Sequence, residues 1–159
     1  MPYKFKVLSI DGGGIRGIIP AKILAEIEKR TGKRIFELFD LIAGTSTGGI
    51  LALGLAKPNR YRPKQANFTA EALIQLYREN GARIFYEPIL ERFTDVDDLV
   101  RPKYSSHGRD EVLTQYFGDT PLLEALTEVF LTSYDIELRV PVFFTSNPSK
   151  QETSSPVFR

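Results

Sequence analysis

The segment from Phe39 to Ala56, FDLIAGTSTGGILALGLA, constrains the fold of this chain more than any other. Its apolar run Phe39–Ala43 predicts a short buried strand that ends at Gly44. A second apolar run, rich in Ala and Leu, follows two further glycines and predicts a helix. With a strand–loop–helix unit before it, this order indicates an α/β fold whose strands are parallel.

The centre of this segment, Gly44-Thr45-Ser46-Thr47-Gly48, fits the pattern G-x-S-x-G. Between a strand and a helix, that pattern is typical of a nucleophile elbow, a sharp turn that lifts the serine Oγ clear of the backbone. Side chains two positions before and after Ser46 would clash in such a turn. The N–H group after the serine would lie at the helix N-terminus, where developing negative charge is stabilised. The alternative is a turn that only joins a strand to a helix.

A glycine-rich loop precedes this segment. Lys6–Ile10 predicts the first strand, and DGGGIRG follows at residues 11–17. Three consecutive glycines expose backbone N–H groups, as a site for an anion or a developing oxyanion requires. Arg16 stands near the next helix N-terminus, where a cation opposes the helix dipole, and this local disadvantage favours a functional role. The alternative for Arg16 is a salt bridge to a nearby carboxylate.

The glycine loop also fits G-x-G-x-x-G, the pattern of dinucleotide-binding loops. Such a site requires an acidic residue at the end of the second strand. Here that strand ends in Gly44-Thr45-Ser46, and Asp40 stands at its beginning. The P-loop pattern G-x-x-x-x-G-K-[ST] does not occur. The sequence therefore argues against a nucleotide cofactor.

Composition excludes several further classes of function. A net charge of +1 argues against electrostatic binding of nucleic acid. The chain has no cysteine and one histidine, and Asp95, Asp97 and Asp98 lack the spacing of a calcium loop, so we predict no metal and no cofactor. His107 lies in the polar stretch KYSSHGRDE, which predicts a surface position; the alternative is an α/β-hydrolase that uses it as a base.

No apolar run approaches the ~18 residues that span a bilayer, and MPYKFKVLSI lacks the pattern of a signal peptide. We therefore expect a cytoplasmic protein, with peripheral contact to membranes.

DGGGIRG and GTSTG together resemble the motifs of the patatin-like phospholipases. The intervening IIPAKILAEIEKRTGKRIFELFDLIAG, and later KYSSHGRDEVLTQYFGDTPLLEAL and YDIELRVPVFF, are similar to that family as well. The resemblance implies a three-layer α/β/α fold with a mainly parallel central sheet. It also implies a lipid acyl hydrolase with a Ser–Asp dyad, acting on a lipid or fatty-acyl ester. Ser46 would be the nucleophile, and the oxyanion hole would be formed by Gly12, Gly13, Gly14 and Arg16.

The aspartate of that dyad lies in a later D-G-[GA] motif in the family, and no such motif follows Ser46. Asp119 and Asp135 are the candidates nearest the C-terminus, but neither has the D-G-[GA] context. We therefore predict that residues 1–159 form a single, incomplete catalytic domain that hydrolyses esters poorly. The alternative function is a non-catalytic module whose glycine loop and Arg16 bind a phosphate or carboxylate.

The other segments predict ordinary secondary structure. Four helices are predicted. The first covers Ile19–Arg30 and stops at Gly32, and the second covers Ala70–Asn80, with Thr69 as its cap and Gly81 as its stop. The third runs from Ser105 or Ser106 to Gly118, and the fourth from Thr120 through Leu126. Two strands, Glu128–Tyr134 and Val140–Thr145, predict a hairpin.

Three further expectations concern packing. The first helix should turn an apolar stripe to the core, formed by Ile19, Ile23, Leu24 and Ile27, and the helix over Ala70–Asn80 should turn Leu73, Leu76 and Tyr77 inward. Lys57–Asn67 predicts a solvated basic loop, with a site for anionic lipid head groups as the alternative. Arg83–Phe93 predicts core with a proline break, and a cover over the active-site side is the alternative.

Overall fold

The structure is a computed structural model that describes residues 4–85 and 107–147, together with Ser149. Its strands and α-helices follow in this order: β1 Val7–Ile10, α1 Ile18–Thr31, α2 Ile35–Leu38, β2 Leu41–Thr45, α3 Thr47–Ala56, α4 Ala70–Phe85, α5 His107–Phe117, β3 Glu128–Asp135 and β4 Val140–Thr145. Two 3₁₀ helices, Gly14–Gly17 and Leu122–Glu124, precede α1 and β3. The second of them is shorter than the helix predicted from Thr120 through Leu126.

The strands form one sheet in the order β1-β2-β3-β4. β1 pairs with β2 and β2 with β3 in parallel, whereas β3 and β4 are antiparallel. The predicted α/β class, the mainly parallel sheet and the C-terminal hairpin are therefore confirmed. Because Ile10 is paired with Gly44, the glycine loop and Ser46 both begin at the carboxyl ends of neighbouring strands, where open α/β sheets bind ligands.

The core lies between the sheet, α3 and α4. From α3, Leu51, Ala52 and Leu55 are buried, and α3 contacts all three parallel strands. Leu73 and Leu76 of α4 are also buried, as the helical spacing of their apolar side chains predicted. No helix of the described ranges is long and apolar enough to cross a membrane.

Only half of the apolar stripe predicted for α1 faces the core: Leu24 is buried and Ile27 packs against the core. Ile19 and Ile23 are each 58% exposed, so the prediction that they belong to the core is wrong. The buried face instead carries Ala21, Leu24 and Glu28, at helical spacing. α1 contacts α4, and a small residue and a hydrogen-bonded carboxylate occupy its inward face. The apolar stripe therefore predicted only part of the inward face of this helix.

The buried carboxylate of Glu28 links three helices. Its Oε1 accepts a hydrogen bond from the Ile35 N–H (3.2 Å), and its Oε2 accepts one from the Ala70 N–H (2.9 Å). The Arg34 guanidinium lies 3.3 Å from Oε2. Ile35 and Ala70 are the first residues of α2 and α4, and the N–H groups of a first turn have no partner within their own helix. Glu28 supplies these partners.

The helix ends confirm two predictions and correct a third. Gly32 ends α1 with φ 67°, and Thr69 caps α4 by accepting a hydrogen bond from the Ala72 N–H at 2.9 Å. Gly81 does not end α4, which continues to Phe85. A Cβ on Gly81 would lie 2.3 Å from Ile15 Cδ1, so this glycine provides room for the glycine loop rather than a stop.

Lys57 departs from the predicted solvated loop. Its Nζ donates a hydrogen bond to the Phe117 carbonyl at 3.0 Å and another to the Thr120 hydroxyl. It thus stabilises the C-terminal end of α5, where a cation interacts favourably with the helix dipole. α5 ends as predicted, before Gly118 at φ 55°.

Several predictions fall outside the described residues. These concern the helix caps Ser105 and Ser106, the acidic run Asp95, Asp97 and Asp98, most of Arg83–Phe93, and the side chain of His107.

Candidate active site

Ser46 alone connects β2 to α3. Its backbone has φ 53° and ψ −120°, and its side chain is exposed. A positive φ is uncommon for a residue other than glycine, and such conformations occur at functional sites where the surrounding structure enforces them. The local conformation is therefore the sharp strand-to-helix turn that the sequence predicted around Ser46.

The two glycines of the motif are required by space. A Cβ on Gly44 would lie 2.3 Å from the Gly48 carbonyl oxygen, and a Cβ on Gly48 would lie 2.0 Å from the Ile10 carbonyl oxygen. Both distances are far below van der Waals contact, and the obstructing atoms belong to the backbone. Only glycine fits at either position, so the first turn of α3 packs directly against the ends of β1 and β2.

The glycine loop approaches the serine at Gly12. A Cβ on Gly12 would lie 3.2 Å from Ser46 Cβ and 3.3 Å from the Thr45 carbonyl oxygen. Gly14 has φ 58°, a conformation that glycine adopts without strain. The N–H groups of Gly12 and Gly13 donate no hydrogen bond to any described residue. An oxyanion hole requires N–H groups of this kind beside the nucleophile.

Arg16 folds back over this loop. Its backbone N–H and its Nε both donate to the Gly13 carbonyl, at 3.2 and 3.3 Å. Among the described residues no carboxylate lies within ion-pair distance of Arg16, so the salt-bridge alternative has no support there. Instead, Arg16 holds the carbonyl of Gly13 and leaves the exposed remainder of its guanidinium beside the loop.

Residues flanking Ser46 are fixed by hydroxyl contacts that the sequence alone did not indicate. Thr45 Oγ1 lies 2.7 Å from Thr132 Oγ1 on the neighbouring strand. Thr47 Oγ1 lies 2.5 Å from the Tyr77 hydroxyl, which also donates to the Thr47 carbonyl at 3.1 Å. Burial raises the pKa of Tyr77 and the Thr47 hydrogen bond opposes that rise. Tyr77 was predicted only as an inward apolar position.

No carboxylate of the described residues accepts a hydrogen bond from Ser46 Oγ. Asp135 Oδ1 is bonded to the N–H groups of Glu137 and Leu138 in the hairpin turn, and Asp119 is an exposed residue after α5. Neither candidate reaches the serine. Within ranges 4–85 and 107–147, no three acidic or histidine side chains gather as metal ligands would.

The dinucleotide alternative finds no support in the position of Asp40. Its Oδ2 accepts a hydrogen bond from the Lys6 N–H at 2.8 Å, at the amino ends of β1 and β2. It therefore lies at the opposite end of the sheet from the glycine loop, where it cannot bind a ribose held beside that loop.

Comparison with known proteins decides the family. Residues 8–157 match the family model described as Patatin-like phospholipase. The chain belongs to the patatin-like phospholipase family. This result confirms the resemblance seen in the sequence. Members of this family are lipid acyl hydrolases.

The relatives similar to this chain include patatins, a patatin-like protein and one patatin whose name calls it probably inactive. Patatin-17 of Solanum cardiophyllum is 40% identical over 149 residues, which cover 89% of this chain and 36% of the relative. "Probable inactive patatin-3-Kuras 1" of Solanum tuberosum is 42% identical over 149 residues, 89% of this chain and 37% of its own length. Patatin-like protein 2 of Oryza sativa subsp. japonica is 42% identical over 157 residues, which cover 91% of this chain and 38% of the relative. The chain thus spans little more than a third of each relative.

Proposed function

We propose that this chain carries the nucleophile and oxyanion-binding part of a serine lipid acyl hydrolase. The single observation that carries the proposal is the enforced backbone of Ser46, with φ 53°, in contact with a glycine whose N–H has no partner among the described residues. Its support is local geometry together with membership of a hydrolase family.

In the proposed reaction, Ser46 Oγ attacks the acyl carbonyl carbon of a lipid ester while a base takes the hydroxyl proton. The tetrahedral oxyanion accepts hydrogen bonds from the glycine loop and from the N–H of Thr47. The C–O bond to the alcohol then breaks, the alcohol leaves with the proton, and Ser46 carries the acyl group. Water attacks this ester in the same way and releases the fatty acid.

The proposed roles divide among the residues as follows. Ser46 is the nucleophile, Gly12, Gly13 and Gly14 provide the oxyanion hole, and Arg16 supports it by fixing the Gly13 carbonyl. Removal of one oxyanion donor costs about 10²–10³-fold in turnover in other hydrolases. Arg16→Ala removes a support rather than a donor, so we expect a smaller loss of turnover and little change in melting temperature.

We propose that the base is a carboxylate outside the described residues, because none of the described ones is bonded to Ser46. The 159-residue polypeptide and the protein at its natural length should both be assayed with a p-nitrophenyl acyl ester. Turnover by the natural-length protein, lost in Ser46→Ala, supports the proposal. Vigorous Ser46-dependent turnover by the 159-residue polypeptide would show that the base lies within it, and the proposed incomplete domain would be wrong.

The substrate class proposed is a membrane-lipid or fatty-acyl ester, reached by peripheral contact with a membrane. The glycine loop presents Ile15, which is 49% exposed, beside the exposed cation Arg16. An apolar side chain next to a cation suits the surface of an anionic bilayer. Co-sedimentation with anionic phospholipid vesicles tests this contact, and binding equal to that of Ile15→Gln would contradict it.

A non-catalytic anion-binding module is the second candidate. It is favoured by the loop N–H groups that have no partner among the described residues, and by the relative named as probably inactive. Treatment of the natural-length protein with a fluorophosphonate separates the two. Covalent labelling of Ser46, absent in Ser46→Ala, supports the hydrolase. Binding of inorganic phosphate without labelling supports the module.

A further inference from the structure

Three residues of α4 face the nucleophile turn and the glycine loop. Tyr77, Gly81 and Phe85 recur at every fourth position, so they lie along one side of the helix. Tyr77 contacts Thr47, Gly81 lies against Ile15, and the Phe85 ring lies 3.9 Å from the place of a Cβ on Gly14. One side of α4 thus contacts both parts of the candidate active site.

Tyr77 makes the closest of these contacts. Its hydroxyl donates to the Thr47 carbonyl at 3.1 Å and lies 2.5 Å from Thr47 Oγ1. Because the Tyr77 hydroxyl donates its hydrogen to the Thr47 carbonyl, the Tyr77 oxygen accepts the hydrogen bond that the Thr47 hydroxyl donates. Thr47 is therefore held at its main chain and at its side chain, directly after the nucleophile, and its N–H is the one proposed to bind the oxyanion.

The same contact excludes any side chain from the end of the glycine loop. A Cβ on Gly17 would lie 2.2 Å from Thr47 Oγ1 and 2.8 Å from the Tyr77 hydroxyl. The last residue of DGGGIRG is thus packed against the hydroxyl pair, and the Tyr77 ring is in turn stacked on Phe85 with centroids 5.7 Å apart. The hydroxyl pair sets the distance between loop and elbow.

We infer that Tyr77 is a positioning residue for the reaction at Ser46, acting through Thr47 and Gly17. This inference rests on the proposed function. The buried hydroxyl holds the first turn of α3 so that the Ser46 backbone and the Thr47 N–H keep their places beside Gly12. Tyr77 itself does not touch the substrate.

The test uses Tyr77→Phe in the natural-length protein, because this change removes the hydroxyl and keeps the ring stacked on Phe85. A displacement of about 1 Å in a reacting group can cost ~10²-fold in rate. We therefore expect kcat on a p-nitrophenyl ester to fall between about 10-fold and about 100-fold with KM nearly unchanged. Fluorophosphonate labelling of Ser46 should slow in the same proportion.

Tyr116→Phe is the matched control. The Tyr116 hydroxyl accepts a hydrogen bond from Asn80 Nδ2 at 3.3 Å, between α4 and α5 and away from the loop. It should lower the melting temperature no more than Tyr77→Phe does, and it should leave kcat and the labelling rate unchanged. The double variant Thr47→Val, Tyr77→Phe should lose little more activity than the stronger of the two single variants. Both changes remove the same contact, between the Thr47 and Tyr77 hydroxyls, so their effects should not add.

The outcomes separate this inference from the proposed function. If wild-type Ser46 is labelled and Tyr77→Phe matches Tyr116→Phe in kcat and labelling, the positioning role is wrong and the hydrolase stands. If wild-type Ser46 is neither labelled nor required for turnover, both are overturned. A loss of kcat confined to Tyr77→Phe, measured at a temperature where both variants are fully folded, supports the inference.

Discussion

Two strand-to-helix connections in the described residues begin at neighbouring strand ends but differ in length and geometry. β2 passes into α3 through Ser46 alone, with a positive φ. β1 passes into α1 through residues 11–17, an open loop with a 3₁₀ turn. The short turn holds Ser46 in an enforced backbone conformation. The long loop leaves backbone N–H groups without partners among the described residues. A nucleophile needs the first arrangement and an oxyanion hole the second.

The helices that follow the two turns are held by different forces. α3 is apolar and buried along most of its length, with close backbone contact at Gly48. α1 buries only Ala21, Leu24 and Glu28, and its inward contact includes a charged group. We therefore expect the elbow side to respond to added volume, and the α1 side to respond to lost hydrogen bonds as well as to lost volume. The following substitutions test this contrast.

Gly48→Ala should have the largest effect. The new Cβ would lie 2.0 Å from the Ile10 carbonyl oxygen. Because the obstructing atom belongs to the backbone of β1, the clash can be relieved only by displacing β1 or α3. Overpacking typically costs about 1–3 kcal/mol, and we expect a loss at or above about 3 kcal/mol in the free energy of unfolding, measured by urea denaturation.

Gly32→Ala provides the comparison for that variant. Gly32 has φ 67° but no atom within 4 Å of a Cβ, so only the left-handed conformation is penalised, by about 1–2 kcal/mol. Equal losses in the two variants would contradict the view that space, and not conformation, requires Gly48.

Glu28→Gln should have a smaller effect than Gly48→Ala. The carboxylate accepts the Ile35 N–H at one oxygen and the Ala70 N–H at the other. An amide of the same size offers one acceptor, so one buried N–H would face an NH₂ group, at a cost of about 1–3 kcal/mol. Glu26→Gln is the control, because Glu26 is exposed on the same helix and bonded only to Arg30 among the described residues. A change no larger than that of Glu26→Gln would show that Glu28 does not link the helices.

The short-range part of the site could be predicted from sequence, because its chemistry is local. G-x-S-x-G between apolar runs predicted the turn at Ser46, and three glycines after a strand predicted the exposed N–H groups. Gly32, Thr69 and the hairpin followed from equally local rules of helix ends and alternation.

What sequence could not supply depends on contacts between distant residues. Tyr77 and Thr47 meet across 30 positions of the chain and Glu28 and Ala70 across 42. No periodicity signals such pairs. The prediction that Gly81 ends α4 was wrong for the same reason. The residue that Gly81 accommodates, Ile15, lies in the glycine loop, far from it in sequence. The buried position of Glu28 could not be predicted for the same reason, since its partners Ile35 and Ala70 begin two other helices.

The third prediction concerns pH and the hydroxyl beneath the elbow. Burial raises the pKa of Tyr77 above its ordinary value of 10.0. Below about pH 10 both folded and unfolded chains keep this proton; above it the unfolded chain loses the proton first. Stability therefore falls as pH rises from about 10 through the folded pKa. The difference between the urea midpoints of wild type and Tyr77→Phe should be constant from about pH 8 to about pH 10 and should shrink as the pH rises above about 10. Parallel curves would contradict this burial effect.

The smallest effect is expected on the outer face of α1, where two adjacent residues give an internal comparison. Ile23 is 58% exposed and Leu24 is 3% exposed. Ile23→Ala should change the free energy of unfolding of the 159-residue chain by no more than about 0.5 kcal/mol, as surface substitutions do. Leu24→Ala should cost about 2–5 kcal/mol, since it removes a buried side chain and leaves a cavity. Comparable losses in the two variants would mean that the stripe of Ile19 and Ile23 is covered after all, and the contrast between α1 and α3 would disappear.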